Sequence, residues 1–459
     1  MTDAPKVTVQ FEDGNLSLIT PSGAGLQAKL GVSSLGAGPA RVARLADVRT
    51  TFGSGPLASA LAVALIESKP VLGIPVPASV TGAPNDATAV ILSVTRAAAN
   101  LAAAAAAVRI SVGGTDLGER AVPVSGVLAL GDTGLSVTFA DGTFVVGDTF
   151  SFSATAPGTT LGDVATALEA FLATRTPVRF IHITGTATPA LGAAVDALLA
   201  AAEATGFYTH AVLDAAARNA GETVAAYDAH LNAQWAAFAS SRVSVAKEGG
   251  EIYNPLTQRS EVRPASWPAT MRRTTRPVGE DASRVRTGYL RGVTAVTVDA
   301  GQTSAPGRFI SLMTLDGRQG AYVAAWPMMS PDESDYDLVQ SREVIDEAAR
   351  AGRAAALDYM GDDVPVDPDT GRILETEALS IEAFIAGRVS AQLSGSASGV
   401  RVVIDREINI LSTRRMEYDV HVIPLGYLRE IKVRVGYTNP ALAAMQLATP
   451  SAGNTPGGI

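Results

Sequence analysis

Few side chains in this sequence are placed to do chemistry. The four histidines, His182, His210, His230 and His421, are scattered, and no two lie three to five residues apart, so a helical zinc pair is absent. Without cysteine there are no disulfides, no thiolate metal site and no thiol nucleophile. Gly23-Ala24-Gly25-Leu26-Gln27-Ala28 fits the G-x-G-x-x-A pattern of dinucleotide sites, and Asp47 follows at a suitable distance. The helix that should come next would have to contain Gly31, Gly36, Gly38 and Pro39, so the stretch reads as a Gly-rich loop. Asp367-Pro-Asp-Thr-Gly371 with Glu375 has calcium-loop residue types, but its Gly and Glu come too early for an EF-hand, and an Asp-rich turn before a helix is expected. Asp332, Glu333, Asp335 and Asp337 suit the start of a helix. No G-x-S-x-G elbow and no G-x-x-x-x-G-K-[ST] loop occurs. The expectation is a protein that is not an enzyme, with no cofactor and no metal.

The arginines are the next candidates. Lys and Arg total 36 against 45 Asp and Glu, a net charge of −9, and only Lys6, Lys29, Lys69, Lys247 and Lys432 are lysines. The one basic concentration is Arg263, Arg272, Arg273, Arg276, Arg284, Arg286 and Arg291, with Trp267 and Tyr289 among them. Arg and aromatic residues together suit nucleic acid or a protein partner. The acidic balance favours the second, so Trp267, Arg272, Arg273 and Arg276 are expected at a protein interface.

These residues need elements to hold them. A chain of 459 residues suggests two to four domains, and 47% hydrophobic content excludes wholesale disorder. The N-terminus has no basic and apolar leader pattern. The most apolar runs, 57–66 and 101–110, fall short of the roughly 20 residues that span a bilayer, so a cytosol-like compartment is expected. Short helices are expected at 45–52 and 57–68, then a strand at 71–76. Residues 79–157 break into short strands at 89–95, 108–112, 126–130, 135–139, 143–146 and 149–154, separated by Gly/Asp turns, which predicts an inserted all-β module. From 160 on, helices at 161–174, 190–205 and 223–240 alternate with strands at 178–184, 211–213 and 242–246, the pattern of an α/β layer. Residues 254–307, rich in Pro, Arg, Gly and Ser, read as irregular. Strands follow at 308–315 and 320–325, helices at 338–359 (charged on one face) and 375–393, and strand-like runs at 400–410, 416–424 and 428–437.

Both ends look like unpaired strands. Val7, Val9 and Phe11 alternate with polar residues at one end, and Ile431, Val433, Val435 and Tyr437 do so at the other. Such strands complete their own sheet or add to a neighbour's edge.

Several segments resemble contractile tail sheath proteins, found in long-tailed phages and related injection systems. Val7-Thr-Val-Gln-Phe-Glu-Asp-Gly-Asn-Leu resembles the sheath N-terminal arm. Arg44-Leu-Ala-Asp-Val-Arg-Thr-Thr-Phe-Gly resembles the short helix leading to Phe-Gly. Gly82-Ala-Pro-Asn-Asp-Ala and Thr149-Phe-Ser-Phe-Ser-Ala resemble the borders of an outer insertion. Arg308-Phe-Ile-Ser-Leu-Met-Thr-Leu-Asp-Gly is similar to a sheath strand pair, and Val403-Ile-Asp-Arg-Glu-Ile-Asn-Ile, Val422-Ile-Pro-Leu-Gly-Tyr and Val433-Arg-Val-Gly-Tyr-Thr-Asn-Pro are similar to the closing sheet and C-terminal arm. The resemblance implies a multidomain α/β and α+β chain. Its parts would be an N-terminal arm (1–20), a middle α/β domain (21–78 plus 158–307), a peripheral β insertion (79–157), an inner sheath domain (308–428) and a C-terminal arm and tail (429–459). It implies a homo-oligomer of stacked hexamers around an inner tail tube, contacting baseplate and tail terminator proteins, with no nucleic acid and no membrane insertion. It places the protein in a virion tail assembled in the host bacterial cytoplasm. The arms would carry Val7, Val9, Phe11, Ile431, Val433, Val435 and Tyr437 into neighbouring subunits, and Arg388 would face the tube. Other readings are a virion-surface or baseplate binding module, and an NAD-dependent enzyme built on Gly23 to Ala28.

Overall fold

A computed structural model describes residues 25–68, 70–76, 86–131, 133–304, 307–428 and 432. Two units are distinguished, residues 1–425 and 426–459. Every described element lies in the first; in the second, 426–428 and 432 belong to no regular element. Val7, Val9, Phe11, Ile431, Val433, Val435 and Tyr437 lie outside the described residues.

The chain enters on β1 (Gln27–Val32), every residue of which is buried. β2 (Ala40–Val42) is short and leads to α1 (Leu45–Phe52), where the Asp47 carboxylate accepts the Arg44 amide at 3.1 Å. α2 (Pro56–Ala64) starts with proline, whose missing N–H has no helical partner to lose at that position. β3 (Val71–Val76) then pairs parallel with β1, and β2 pairs antiparallel with β3.

The insertion follows: β4 (Thr88–Arg96), β5 (Ala107–Val112), β6 (Thr115–Ala121), β7 (Val127–Ala129), β8 (Ser136–Thr138) and β9 (Thr149–Ala154). Four of them form an antiparallel sheet in the order β6-β5-β4-β9, and β7 pairs with β8. It has its own core, in which Val90, Leu92, Val108 and Ile110 pack with Leu130 and Phe144. The strand expected at 143–146 is not formed; Phe144 makes only an isolated bridge to Ala98. Of the alanine run 102–107, the start joins Leu101 in a 3-10 turn, Leu101–Ala103, capped by Asn100, and Ala107 opens β5.

The chain returns through α3 (Leu161–Ala173), where Thr160 and Asp163 form a reciprocal capping box. Then come β10 (Phe180–Thr186), α4 (Pro189–Ala204), β11 (His210–Asp214), α5 (Val224–Trp235) and β12 (Val243–Ala246). The main sheet has the order β12-β11-β10-β1-β3-β2, parallel except for β2. Strand order therefore reverses between β1 and β10, where doubly wound sheets leave a ligand crevice. At that point the two strands approach closely: a Cβ on Gly31 would lie 1.9 Å from the Thr184 hydroxyl, which itself donates to the Leu30 carbonyl at 3.1 Å. The glycine-rich motif also fails structurally, because Gln27 and Ala28 lie inside β1 instead of opening a helix. The helix that the dinucleotide pattern requires at Gln27 and Ala28 is therefore replaced by a strand.

Residues 254–307 are more ordered than expected. β13 (Glu248–Asn254), β14 (Arg259–Pro264) and β15 (Val293–Val296) form one antiparallel sheet, and α6 (Ser266–Arg273) is buried along its whole length. β16 (Ser311–Thr314) pairs with β17 (Ala321–Ala325). Ile310, Leu312, Val323 and Trp326 share a core with Phe180 and Val212 of the main sheet. A second core joins α7 (Val339–Leu357), α8 (Glu375–Gln392) and the antiparallel pair β18 (Gly399–Ile404) and β19 (Tyr418–Ile423); α9 (Ile410–Thr413) lies between those strands in sequence.

β13 is the central strand of its sheet and carries two adjacent glycines. A Cβ on Gly250 would lie 2.0 Å from the Ala295 carbonyl oxygen and 2.9 Å from the Val296 Cα. Those are backbone atoms that no rotamer change can move away. Gly250→Ala is expected to cost about 1–3 kcal/mol, read as a lower unfolding midpoint in denaturant; an unchanged midpoint would show that β15 yields freely.

Candidate functional site

Two polar networks tie the main sheet to the elements covering it. The first begins on β1. Lys29 and His182 are neighbours in the β1–β10 register. The Lys29 ammonium reaches His182 Nδ1 at 2.8 Å and the Thr270 hydroxyl at 2.9 Å. His182 Nε2 lies 3.0 Å from Asp214 Oδ1, so with Lys29 donating to Nδ1 the imidazole carries its proton on Nε2. Ser266 and Trp267 of α6 donate to the same carboxylate. The chain Lys29–His182–Asp214 has the residue types of a proton relay, but its members are 1%, 0% and 2% exposed, so no substrate can reach them. Burial lowers the Lys29 ammonium to about 7, against the opposing pull of Asp214. The network pins α6 onto the sheet.

The second network lies at the N-terminal ends of β10 and β11 and centres on Glu343 of α7. Arg179 holds the Glu343 carboxylate with two hydrogen bonds, 2.9 Å from Nε and 2.6 Å from Nη2. Arg273, the last residue of α6, donates to it from Nε at 2.8 Å. His210 Nε2 is 3.8 Å away. Around this centre Arg342 bonds Asp346 at 2.8 Å and Glu203 at 3.0 Å, and Arg350 pairs with Glu347. Burial alone would raise the Glu343 carboxyl, but the guanidinium groups of Arg179 and Arg273 outweigh it and hold it at about 2. Burial takes His210 down to about 3, so it stays neutral.

The expected arginine interface divides here. Trp267, Arg272 and Arg273 are buried at 3%, 9% and 2% exposure and are not presented to a partner by this chain. Arg272 is held by Glu67 at 2.6 Å and Arg273 by Glu343. Those carboxylates lie about 205 and 70 positions away in sequence, which spacing could not reveal. Arg276 is partly exposed, 4.0 Å from Glu280. Arg388 on α8 is exposed, over the Phe384 ring at 5.2 Å and 3.8 Å from Asp358. Asp367 forms a turn, accepting the amides of Asp369 and Thr370 at 2.9 Å each. Among the described residues no cluster of three His, Asp or Glu could hold a metal, and no helix is long and apolar enough to cross a membrane.

The outer features are of another kind. β18 and β19 form a sheet of only two strands among the described residues, so each keeps one edge without a strand partner. Along β19 half-buried and exposed residues alternate strictly.

A family model described as DUF2586, N-terminal domain, matches residues 4–325, and its C-terminal counterpart matches residues 335–442. The chain belongs to the DUF2586 family. No curated protein matches it in sequence. Among solved structures, a chain of the PVC sheath complex of an extracellular contractile injection system, in its contracted state, matches with a TM-score of 0.53 at 10% identity. That match covers 95% of this chain and 98% of the other. A chain of the anti-feeding prophage baseplate matches with a TM-score of 0.51 at 13% identity, covering 96% of this chain and all of the other. The sheath tail protein Lin1278 of Listeria innocua matches at 12% identity with a TM-score of 0.46, over 88% and 96% of the two chains. The DUF2586 chain thus has the fold of contractile sheath proteins, as the sequence resemblance implied. Its two family segments meet near residue 330, and the Glu343 network bonds Arg179 and Arg273 of the first to Glu343 of the second.

Glu343→Gln would remove the carboxylate that Arg179 and Arg273 both bond, and is expected to cost about 3–5 kcal/mol at pH 7. Glu343 has a folded-state value below its ordinary 4.5. Its contribution is therefore complete above 4.5 and is lost as pH falls through about 2. His210, depressed from 6.5 to about 3, adds acid lability of the same sign between those values. Denaturant unfolding of both proteins across this range should show the gap between them closing toward pH 2; a gap independent of pH would remove the assigned ion pairing.

Proposed function

We propose that this chain is a structural subunit of a contractile sheath, polymerising around an inner tube and contracting by rearrangement of its subunits. The observation that carries this is the likeness, over 95% of the chain, to a chain of a contracted sheath complex. The parts are assigned as the sequence suggested. Residues 1–20 and 429–459 act as arms, residues 79–157 form the peripheral module, 21–78 with 158–307 the middle layer, and 308–428 the layer nearest the tube. The arm residues Val7, Val9, Phe11, Ile431, Val433, Val435 and Tyr437 add strands to a neighbouring subunit. The unpaired edges of β18 and β19 are suited to receive them, because main-chain donors and acceptors at a sheet edge form a template for a further strand. A subunit that gives a strand to the next without closing a ring builds a helical array. Contraction is then rigid-body rotation of subunits while the strand mesh stays connected, and its energy comes from new interface area. Stacked hexamers, an inner tube protein, baseplate and terminator proteins are the corresponding partners, and a virion or particle tail assembled in a bacterial cytoplasm is the corresponding location. Arg276 is proposed at a subunit contact and Arg388 toward the tube.

Electron micrographs of purified protein are expected to show hollow striated cylinders. Chains lacking residues 1–15, or those after Arg429, should remain folded yet unpolymerised. Cylinders of normal length from both truncations would exclude strand exchange through the arms. Arg388→Glu should permit cylinders but abolish their attachment to tubes, scored in the same images; undiminished attachment would move the tube contact elsewhere.

A further inference from the structure

A cleft of about 450 Å³ opens where the β insertion meets the rest of the first unit. It is bounded by the α1–α2 loop with Arg49, by Asp86 at the start of the insertion, and by Thr257, Arg259 and Glu261 of the β13–β14 hairpin. Its acidic groups are already engaged. Asp86 accepts from Arg263 at 2.8 Å and from the Ser59 hydroxyl at 2.9 Å, and Glu261 pairs with the same Arg263. Arg259 is different. It is 9% exposed, lines the cleft, and its Nε is fully buried with no acceptor. Among the described residues the other buried arginines, Arg179, Arg272, Arg273 and Arg342, each face a carboxylate. Arg259 faces none. The Thr257 hydroxyl is likewise buried without a partner. A buried Nε–H and a buried hydroxyl without acceptors each cost free energy, and one oxyanion would satisfy both. Arg49 adds charge at the rim while donating to the Leu256 carbonyl at 2.8 Å. Three arginines against two carboxylates leave one positive charge.

We propose that this cleft binds a small, singly charged oxyanion, a carboxylate or a phosphate, gripped by the Arg259 guanidinium and the Thr257 hydroxyl. Arginine suits this role because its planar fork matches both groups. The Arg259 stem lies beside the β5–β6 turn, with Cδ 3.8 Å from where a Cβ on Gly113 would sit. A bound anion would therefore fix the hairpin against the insertion.

The test is calorimetric titration of the full chain with inorganic phosphate and, separately, with acetate, at constant ionic strength with chloride as control. Saturable binding of phosphate, acetate or both, with none for chloride, is expected, and the arm that binds identifies the oxyanion. Arg259→Gln should weaken that binding at least tenfold. No saturable binding in either arm, or equal binding by the variant, overturns the proposal. Should Arg259→Gln fail to fold by circular dichroism, Thr257→Val replaces it. A several-fold loss of affinity is then expected, and an unchanged affinity overturns the proposal equally.

Discussion

The organisation of this chain depends on the pairing of the ions buried between its elements. Taking a carboxylate or guanidinium out of water costs several kcal/mol even after relaxation, and only close, well-oriented counter-ions offset it. Glu343 sits between two arginines for that reason, and Arg342 between two carboxylates. The consequence is positional. Arg179 precedes β10, Arg273 ends α6 and Glu343 lies one turn into α7, so satisfying one carboxylate fixes a sheet, a covering helix and the first helix of the C-terminal family segment together. An apolar seam could slide at small cost. A bidentate ionic seam cannot, since any shift strands a charge in a dry interior. For a subunit proposed to rotate as one body, that discrimination matters more than the net stability of the pair.

The same logic explains why the main sheet, whose strand order would admit a nucleotide, is built as framework. At its switch point Thr184 packs against Gly31, and Lys29, His182 and Asp214 bond one another and α6. Groups that serve as relays in open sites serve here as fasteners. The difference lies wholly in access, which residue types do not encode.

Much of the fold was legible in the sequence because it follows local rules. β3, β9 and α1 occupy the predicted spans, and α3 has a capping box that four consecutive residues specify. What stayed hidden was set by distant partners. β14 lacks alternating hydrophobicity because only one of its residues is buried, so 254–307 read as irregular. From the sequence, α7 is charged on one face and the arginines of α6 are expected at a protein interface. Each appears polar alone, and they are interior because they meet each other and Arg179. Periodicity reports how polar a face is. It cannot report that another polar face awaits it.

This bears on how a chain with 31 arginines and five lysines would be used in an assembly. Arginine is weakly hydrated and forms planar two-point bonds, so it can be buried against carboxylates where lysine would lose more solvation. The buried arginines consolidate the fold of the chain itself, while β18 and β19 each keep one edge without a strand partner among the described residues. In the proposed sheath, side-chain ion pairs would hold the body together and main-chain hydrogen bonds would form the mesh. A mesh of that kind tolerates sequence change, since strand addition reads backbone more than side chain.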